Sequence, residues 1–220
     1  MRPRNDQRRH DAARSQLKNG EYHLTVGQLE KVIQGAESAR DRVIVRTLAE
    51  TGLRRSEIVT IQIEDVNMKD RLVVVRHGKG NKLRIVPLTR VLTRDLRMVT
   101  GGRASGPVFL SQRGGEICTR HLNRIVAQAG ERAGIRSPNP KYRHLTCHLF
   151  RHSFARLWKA RGGSIESLSK ILGHESVRTT WDEYGSESLE DVRQNYAAIM
   201  EPKTTRAGRN IPHTKRRRMT

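Results

Sequence analysis

Arg54 stands in Thr51-Gly-Leu-Arg-Arg-Ser-Glu-Ile58, just past a glycine that ends a helical pattern. A guanidinium placed between two helices can be aimed into a cleft, and its planar fork of donors matches two phosphoryl oxygens at once. Glu57, three residues on, can pair with a nearby cation and fix its rotamer. Taken alone, Arg54 reads better as a surface arginine at a helix end. His148-Leu-Phe-Arg-His152 is the densest group. His148 and Arg151 are three apart and share a helix face, while Phe150 and Phe154 point to the opposite, buried side. A polar face beside an aromatic anchor holds cationic groups rigidly at a cleft wall, where they can clamp an anion and move a proton.

Two other chemistries compete for this segment. Cys147 beside His148 has the makings of a nucleophile and its base, but adjacent helical residues point about 100° apart, a poor arrangement for proton transfer. His144, Cys147, His148 and His152 are metal-ligand types, with 148 and 152 at i, i+4. No spaced cysteine pair or HExxH completes such a set, and Arg151 brings positive charge beside it. No metal is expected.

Lys79 sits between glycines in His77-Gly-Lys-Gly-Asn81. Flanking glycines let the backbone approach a partner closely and leave the lysine free to reach. The segment joins two β-rich stretches and lacks GxxxxGK[ST], so it is no P-loop. The plain alternative is a solvated turn lysine. Among phosphate-binding arginines a lysine has its neutral form favoured, which suits proton donation to an alkoxide. His174 follows a helix stop in Leu172-Gly-His174 and can donate to a phosphoryl oxygen; Tyr184 comes ten residues later. Tyr22, Tyr142 and Tyr196 compete with Tyr184 for any nucleophilic role, and their types alone do not choose among them.

The elements that must position these groups are mostly helical. Thr25 with Gln28 forms a capping-box signal for a helix to about Ala36, and Ser38 with Asp41 opens one over 39–50 that Gly52 stops. Ser56 starts a short turn. Arg71–Arg76 and Lys82–Val86 are β-rich and flank the Gly-Lys-Gly hairpin. Thr89 and Thr119 cap helices to about Val99 and Ala133, and Val108–Leu110 reads as a short strand. A basic, Pro-containing loop over 136–143 precedes helices at 147–161 and 164–173, with two more expected over 176–183 and 187–199.

Composition limits the partners. The 220 residues hold 43 Lys plus Arg against 22 Asp plus Glu, a formal net charge of +21. Residues 1–18 contribute net +4 and residues 201–220 net +6, so the body is basic too. That favours a polyanion such as DNA or RNA, with a ribosomal-type or membrane-surface protein as the plain alternative, because net charge alone reads no ligand. No apolar run is long enough to cross a membrane and no secretory leader follows Met1. Cys118 and Cys147 fit a reducing compartment, and a cytoplasmic location is expected.

Taken together, these segments resemble the catalytic domain of the tyrosine recombinases, also called the phage integrase family. That family carries an arginine in a Thr-Gly-Leu-Arg-x-Ser-Glu segment, where Arg54 stands, and a lysine in a Gly-Lys-Gly turn before a strand ending Val-Pro-Leu, matched by Lys79 and Val86-Pro-Leu88. Its His-x-Leu-Arg-His and Leu-Gly-His segments look like 148–152 and 172–174, and its nucleophile falls at Tyr184. Each match is short, but five in order over about 24–199 are specific. The resemblance implies a mostly α fold with a small antiparallel β-sheet. It implies cleavage and rejoining of double-stranded DNA through a 3′-phosphotyrosyl ester, with no cofactor and no metal. Arg54 and Arg151 would clamp the phosphoryl oxygens, His174 would add a donor, His148 would assist the proton of Tyr184, and Lys79 would protonate the leaving 5′ oxygen. Further copies of the chain are expected as partners once assembled on DNA.

Departures from the family pattern are visible. Phe150 replaces the usual leucine, and Tyr184-Gly-Ser186 replaces a common Tyr-x-His. A separate helical core-binding domain usually precedes the catalytic one, whereas only a basic arm (1–23) precedes it here; a basic tail (200–220) follows. Three other readings use much of the same pattern: a type IB-like topoisomerase, a catalytically inactive DNA-binding relic, and a zinc-stabilised basic structural protein.

Overall fold

The computed structural model describes residues 22–76 and 83–174. The expected helices 176–183 and 187–199 lie outside them, as do Lys79 and Tyr184. The element order is α1 (Val26–Gln34), α2 (Ala39–Thr51), α3 (Arg55–Thr60), a 3-10 turn (Ile63–Asp65), β1 (Val66–Asn67), β2 (Leu72–Val75), β3 (Arg84–Pro87), α4 (Arg90–Thr100), α5 (Thr119–Arg132), α6 (Cys147–Ala160) and α7 (Ile165–Leu172). A mostly α fold with a small antiparallel sheet is what the sequence predicts.

α2 is the central element. Val43, Ile44, Val45, Leu48 and Ala49 are all buried, together with Thr47 and Thr51. A helix apolar around most of its circumference must be covered on several sides, and α2 packs against α1, α4, α5 and α6. Thr47 and Thr51 keep their hydroxyls satisfied by donating to the carbonyls of Val43 and Thr47. Phe150 and Phe109 are the largest side chains of this core. Full burial of one such ring stabilises the fold by roughly 1.5–3 kcal/mol.

Side-chain caps place most helix starts where the sequence predicts them. Thr25 and Gln28 form the reciprocal capping box, Ser38 accepts from the Asp41 amide, Thr89 from Leu92, and Ser164 from Ser167. α5 differs: its N-cap is Cys118, which makes no side-chain cap bond, and Thr119 is already helical. The short turn expected after Ser56 is a helix, α3, that begins one residue earlier at Arg55. Val108–Leu110 forms no strand; two isolated bridges, Gln62 to Pro107 and Leu110 to Glu116, hold that stretch instead.

The sheet has the order β1-β2-β3 and is antiparallel throughout. Val73 lies opposite Val86 and Val75 opposite Arg84. Opposed residues share a face, so the inward face carries Val73, Val75 and Val86, all buried, and also a charge, Arg84.

Candidate phosphoryl-binding site

Three chain segments deliver the candidate groups to one place. The first is the α2–α3 connection. Gly52 caps α2 with φ +62, and a Cβ there would stand 2.6 Å from the Phe154 ring and 2.9 Å from a Leu172 methyl. Two residues later Arg54 occupies the N-cap of α3. Its amide donates to Glu57 Oε2 at 2.7 Å and its Nη1 to Glu57 Oε1 at 3.1 Å. Glu57 is buried and also receives both terminal nitrogens of Arg84, at 2.8 and 2.7 Å. Burial pushes the Glu57 carboxyl up, but the Arg84 hydrogen bonds and charge, with those of Arg54, outweigh it and hold it below the usual range. This glutamate therefore stays ionised and orients Arg54.

The second segment is the start of α6. His148 lies in its first turn and its ring meets that of His152 edge-on at 4.5 Å between centroids. Arg151 differs from the sequence expectation of an open polar face: it is only 6% exposed. Its Nη1 donates to the Gly52 carbonyl and its Nη2 to the Leu172 carbonyl, each at 2.8 Å. One guanidinium thus joins the end of α2 to the end of α7.

The third segment is that end. Gly173 caps α7 with φ +67, and the His174 amide donates to the Ser169 carbonyl. His174 Nε2 lies 3.0 Å from Arg151 Nη2. A guanidinium has no acceptor, so Nε2 accepts in this contact and the neutral ring carries its proton on Nδ1.

Arg54, His148, Arg151 and His174 line one open cleft of about 750 Å³, with Arg55, Ser56 and His144 on its rim. No carboxylate lines it among the described residues; Glu57 lines a separate hollow beside Asp65 and Arg76. Three guanidinium groups and three imidazoles without a facing acid make a site for a multiply oxygenated anion. Cys147 is buried at the cleft floor and its thiol bonds Asn123 Oδ1 at 3.2 Å. Burial pushes that thiol up to about 12, so it is neither a nucleophile nor a ready thiolate ligand. Among the described residues no three His, Cys, Asp or Glu side chains converge as a metal ion needs.

One side chain behind this site, not lining it, escaped the sequence reading. Arg84 lies only eight-hundredths exposed between Glu57 and the end of α7. The signal was strand alternation: in Arg84-Ile-Val86 the arginine shares the inward phase of Val86, and an inward arginine requires a buried acid.

His152 carries a pH-dependent consequence. Burial first, then the neighbouring His148, Arg156 and Arg151, hold its pKa down to about 4 against an ordinary 6.5. The unfolded chain takes up this proton as pH falls through about 6.5, and the fold resists it until about 4. Stability is therefore complete above that window and falls across it, by up to roughly 1.4 kcal/mol per pH unit. Urea unfolding at pH 7 and 5.5 should show the decline, and His152→Gln should flatten it. An equal decline in the variant would assign the effect elsewhere. Glu57, whose pKa is depressed below 4.5, loses its contribution only at lower pH and does not enter this interval.

The fold is thus a mostly helical domain with a three-stranded edge, and its cleft is lined by arginines and histidines with no carboxylate among the described residues. The relatives give the family. The phage integrase family model matches residues 23–190. Tyrosine recombinase XerC of Pelobacter propionicus is 34% identical over 185 residues, covering 80% of this chain and 58% of that protein. Tyrosine recombinase XerA of Pyrococcus horikoshii is 30% identical over 162 residues, covering 71% and 54%. A crystal structure of XerA recombinase superposes with a TM-score of 0.68 at 29% identity, over 82% of this chain and 65% of that one. The chain belongs to the phage integrase family. It spans between half and two thirds of the length of these relatives.

Proposed function

We propose that this chain cleaves and rejoins double-stranded DNA at a specific site through a 3′-phosphotyrosyl intermediate. The observation that carries the reading is the convergence of Arg54, His148, Arg151 and His174 on one cleft that no carboxylate lines among the described residues. The names of the relatives, tyrosine recombinases, support it.

In this reading the Tyr184 oxygen attacks the scissile phosphorus as its proton passes toward His148. The new bond is a phosphotyrosine ester and the bond lost is that to the 5′ oxygen, which takes a proton from Lys79. Arg54 and Arg151 meet the charge that grows on the equatorial oxygens, and His174 adds a donor. A 5′ hydroxyl of another strand then attacks the ester and frees Tyr184. Each step exchanges one phosphate ester for another, so the bond energy is retained. Further copies of the chain would supply the second site, assembling on DNA.

The test is a nicked duplex whose downstream fragment diffuses away after cleavage, which traps the ester. Wild-type chain should give a protein–DNA band that survives SDS, and peptide mapping should place it on Tyr184. A chain that binds duplex DNA and never forms this band is a binding module, and the proposal fails. Strand exchange between two sites, as opposed to relaxation of supercoils alone, separates a recombinase from a topoisomerase.

The role of Lys79 has its own measurement. Lys79→Ala should lose about 10²-fold or more in cleavage of the normal linkage, and most of that loss should vanish with a 5′-thio leaving group, which departs without an acid. Equal losses with oxygen and sulfur would remove Lys79 from this role.

A further inference from the structure

Arg84 touches none of the cleft, yet it meets the supports of two groups that line it. Its Nη1 and Nη2 form a parallel pair of bonds to the two Glu57 oxygens, and the same carboxylate holds the amide and side chain of Arg54. Its Nε donates to the Ile171 carbonyl at 2.8 Å. That carbonyl belongs to the last turn of α7, three residues before His174. The fit is close: a Cβ on Gly173 would stand 2.7 Å from Arg84 Cδ and 3.0 Å from Nε. The neighbouring carbonyl of Leu172 is taken by Arg151. Two arginines from different elements therefore hold the negative end of α7, where a cation is favoured.

We propose that Arg84 is a positioning residue that fixes Arg54 and His174 relative to each other. Arg54 is set through Glu57, and His174 through the last turn of α7. This assignment rests on the cleavage reading above for its effect on rate, and on the described contacts for its effect on structure.

The geometry explains why arginine is needed. A planar fork supplies two parallel bonds to a carboxylate and a third, sideways bond from Nε. Lysine offers one compact ammonium and cannot span Glu57 and the Ile171 carbonyl with the same alignment.

Arg84→Gln and Arg84→Lys test this in single-turnover cleavage of the trapping duplex. DNA affinity should stay near wild type, because Arg84 does not line the cleft. The cleavage rate of bound DNA should fall about 10²-fold in both variants, the scale expected when reacting groups are displaced by roughly 1 Å. On a duplex whose scissile phosphate is a methylphosphonate, with no charge to clamp, the loss should shrink by about tenfold. Should Arg84→Gln not fold, Arg84→Lys keeps a charge beside Glu57 and carries the same measurements. Amide exchange gives a readout independent of cleavage. The Gly173 and His174 amides, both bonded to the Ser169 carbonyl, should exchange about tenfold faster in Arg84→Lys while α5 is unchanged. Unchanged exchange at those two amides overturns the proposal, as does a rate of bound-DNA cleavage equal to wild type. So does the same fractional loss on charged and neutral phosphates. If wild type forms no covalent adduct, the cleavage reading fails by itself, and the exchange result alone decides whether Arg84 positions His174.

Discussion

Tyr184→Phe should reduce the SDS-resistant adduct to background while leaving duplex binding unchanged. The substitution keeps the ring and removes only the oxygen that would attack phosphorus. Loss of a nucleophile leaves the arginine clamps in place but nothing for them to stabilise, so single-turnover cleavage should fall by at least about 10⁴-fold. Tyr184 follows His174 by ten residues. That length of extended chain reaches roughly 33–36 Å, ample to return a side chain to the cleft that His174 lines. The adduct and the binding isotherm must be measured on the same preparation. An adduct that persists in Tyr184→Phe and maps to Tyr142 or Tyr196 would overturn the assignment. Tyr142 is the one of those two that the structure describes, exposed on the loop beside the cleft.

The second large effect separates two arginines that the sequence treats alike. Arg54→Ala and Arg151→Ala should each lower cleavage of bound DNA by about 10²–10³-fold, the cost of losing one donor to developing phosphoryl charge. Their effects on stability should differ. Arg54 is about a third exposed, and its partner Glu57 keeps both bonds from Arg84 when Arg54 is removed. Arg54→Ala should therefore unfold within about 1 kcal/mol of wild type. Arg151→Ala strips donors from the Gly52 and Leu172 carbonyls inside the fold. Leaving buried acceptors unmet costs roughly 1–3 kcal/mol each, so this variant should melt measurably earlier. Urea unfolding beside single-turnover cleavage reads both quantities. Arg54→Ala weakening binding with no change in the cleavage of bound DNA would make Arg54 a binding contact alone.

Much of this was legible in the chain because it is written in local pattern. Thr25 with Gln28, Ser38 with Asp41, and Thr89 each cap a helix through bonds to residues three positions away, and such signals survive without knowledge of the fold. Gly52 and Gly173 stop α2 and α7 where expected, since each must adopt a positive φ. What stayed hidden depends on contacts distant in sequence. Arg151 lies on a face that periodicity marks as polar, and only the approach of Gly52 and Leu172, 99 and 21 residues away, turns it into a buried brace. The link from Arg84 to Glu57 spans 27 residues and is invisible until β3 is laid beside α7. α5 starts without a side-chain cap and is held by its apolar face, Leu122, Ile125, Val126 and Ala129, against α1 and α3, contacts that no local signal announces. Arg54, His148 and His174 line one cleft, and no spacing rule brings residues so far apart together; in the sequence only motif order groups them.

Gly52 has a consequence for how such a gene ages. This residue has no side chain and carries no charge to lose. Yet any side chain there must take a left-handed backbone and push against both the Phe154 ring and Leu172. Those two belong to α6 and α7, the helices that bring Arg151 and His174 to the cleft, and Arg54 is two residues away. A single codon change at 52 would thus displace three cleft-lining groups at once while every one of them remained intact in the sequence. In a copy released from selection, an inventory of recognisable motif residues would still read as complete after the chemistry had gone; position 52 is where the first silent casualty should be sought.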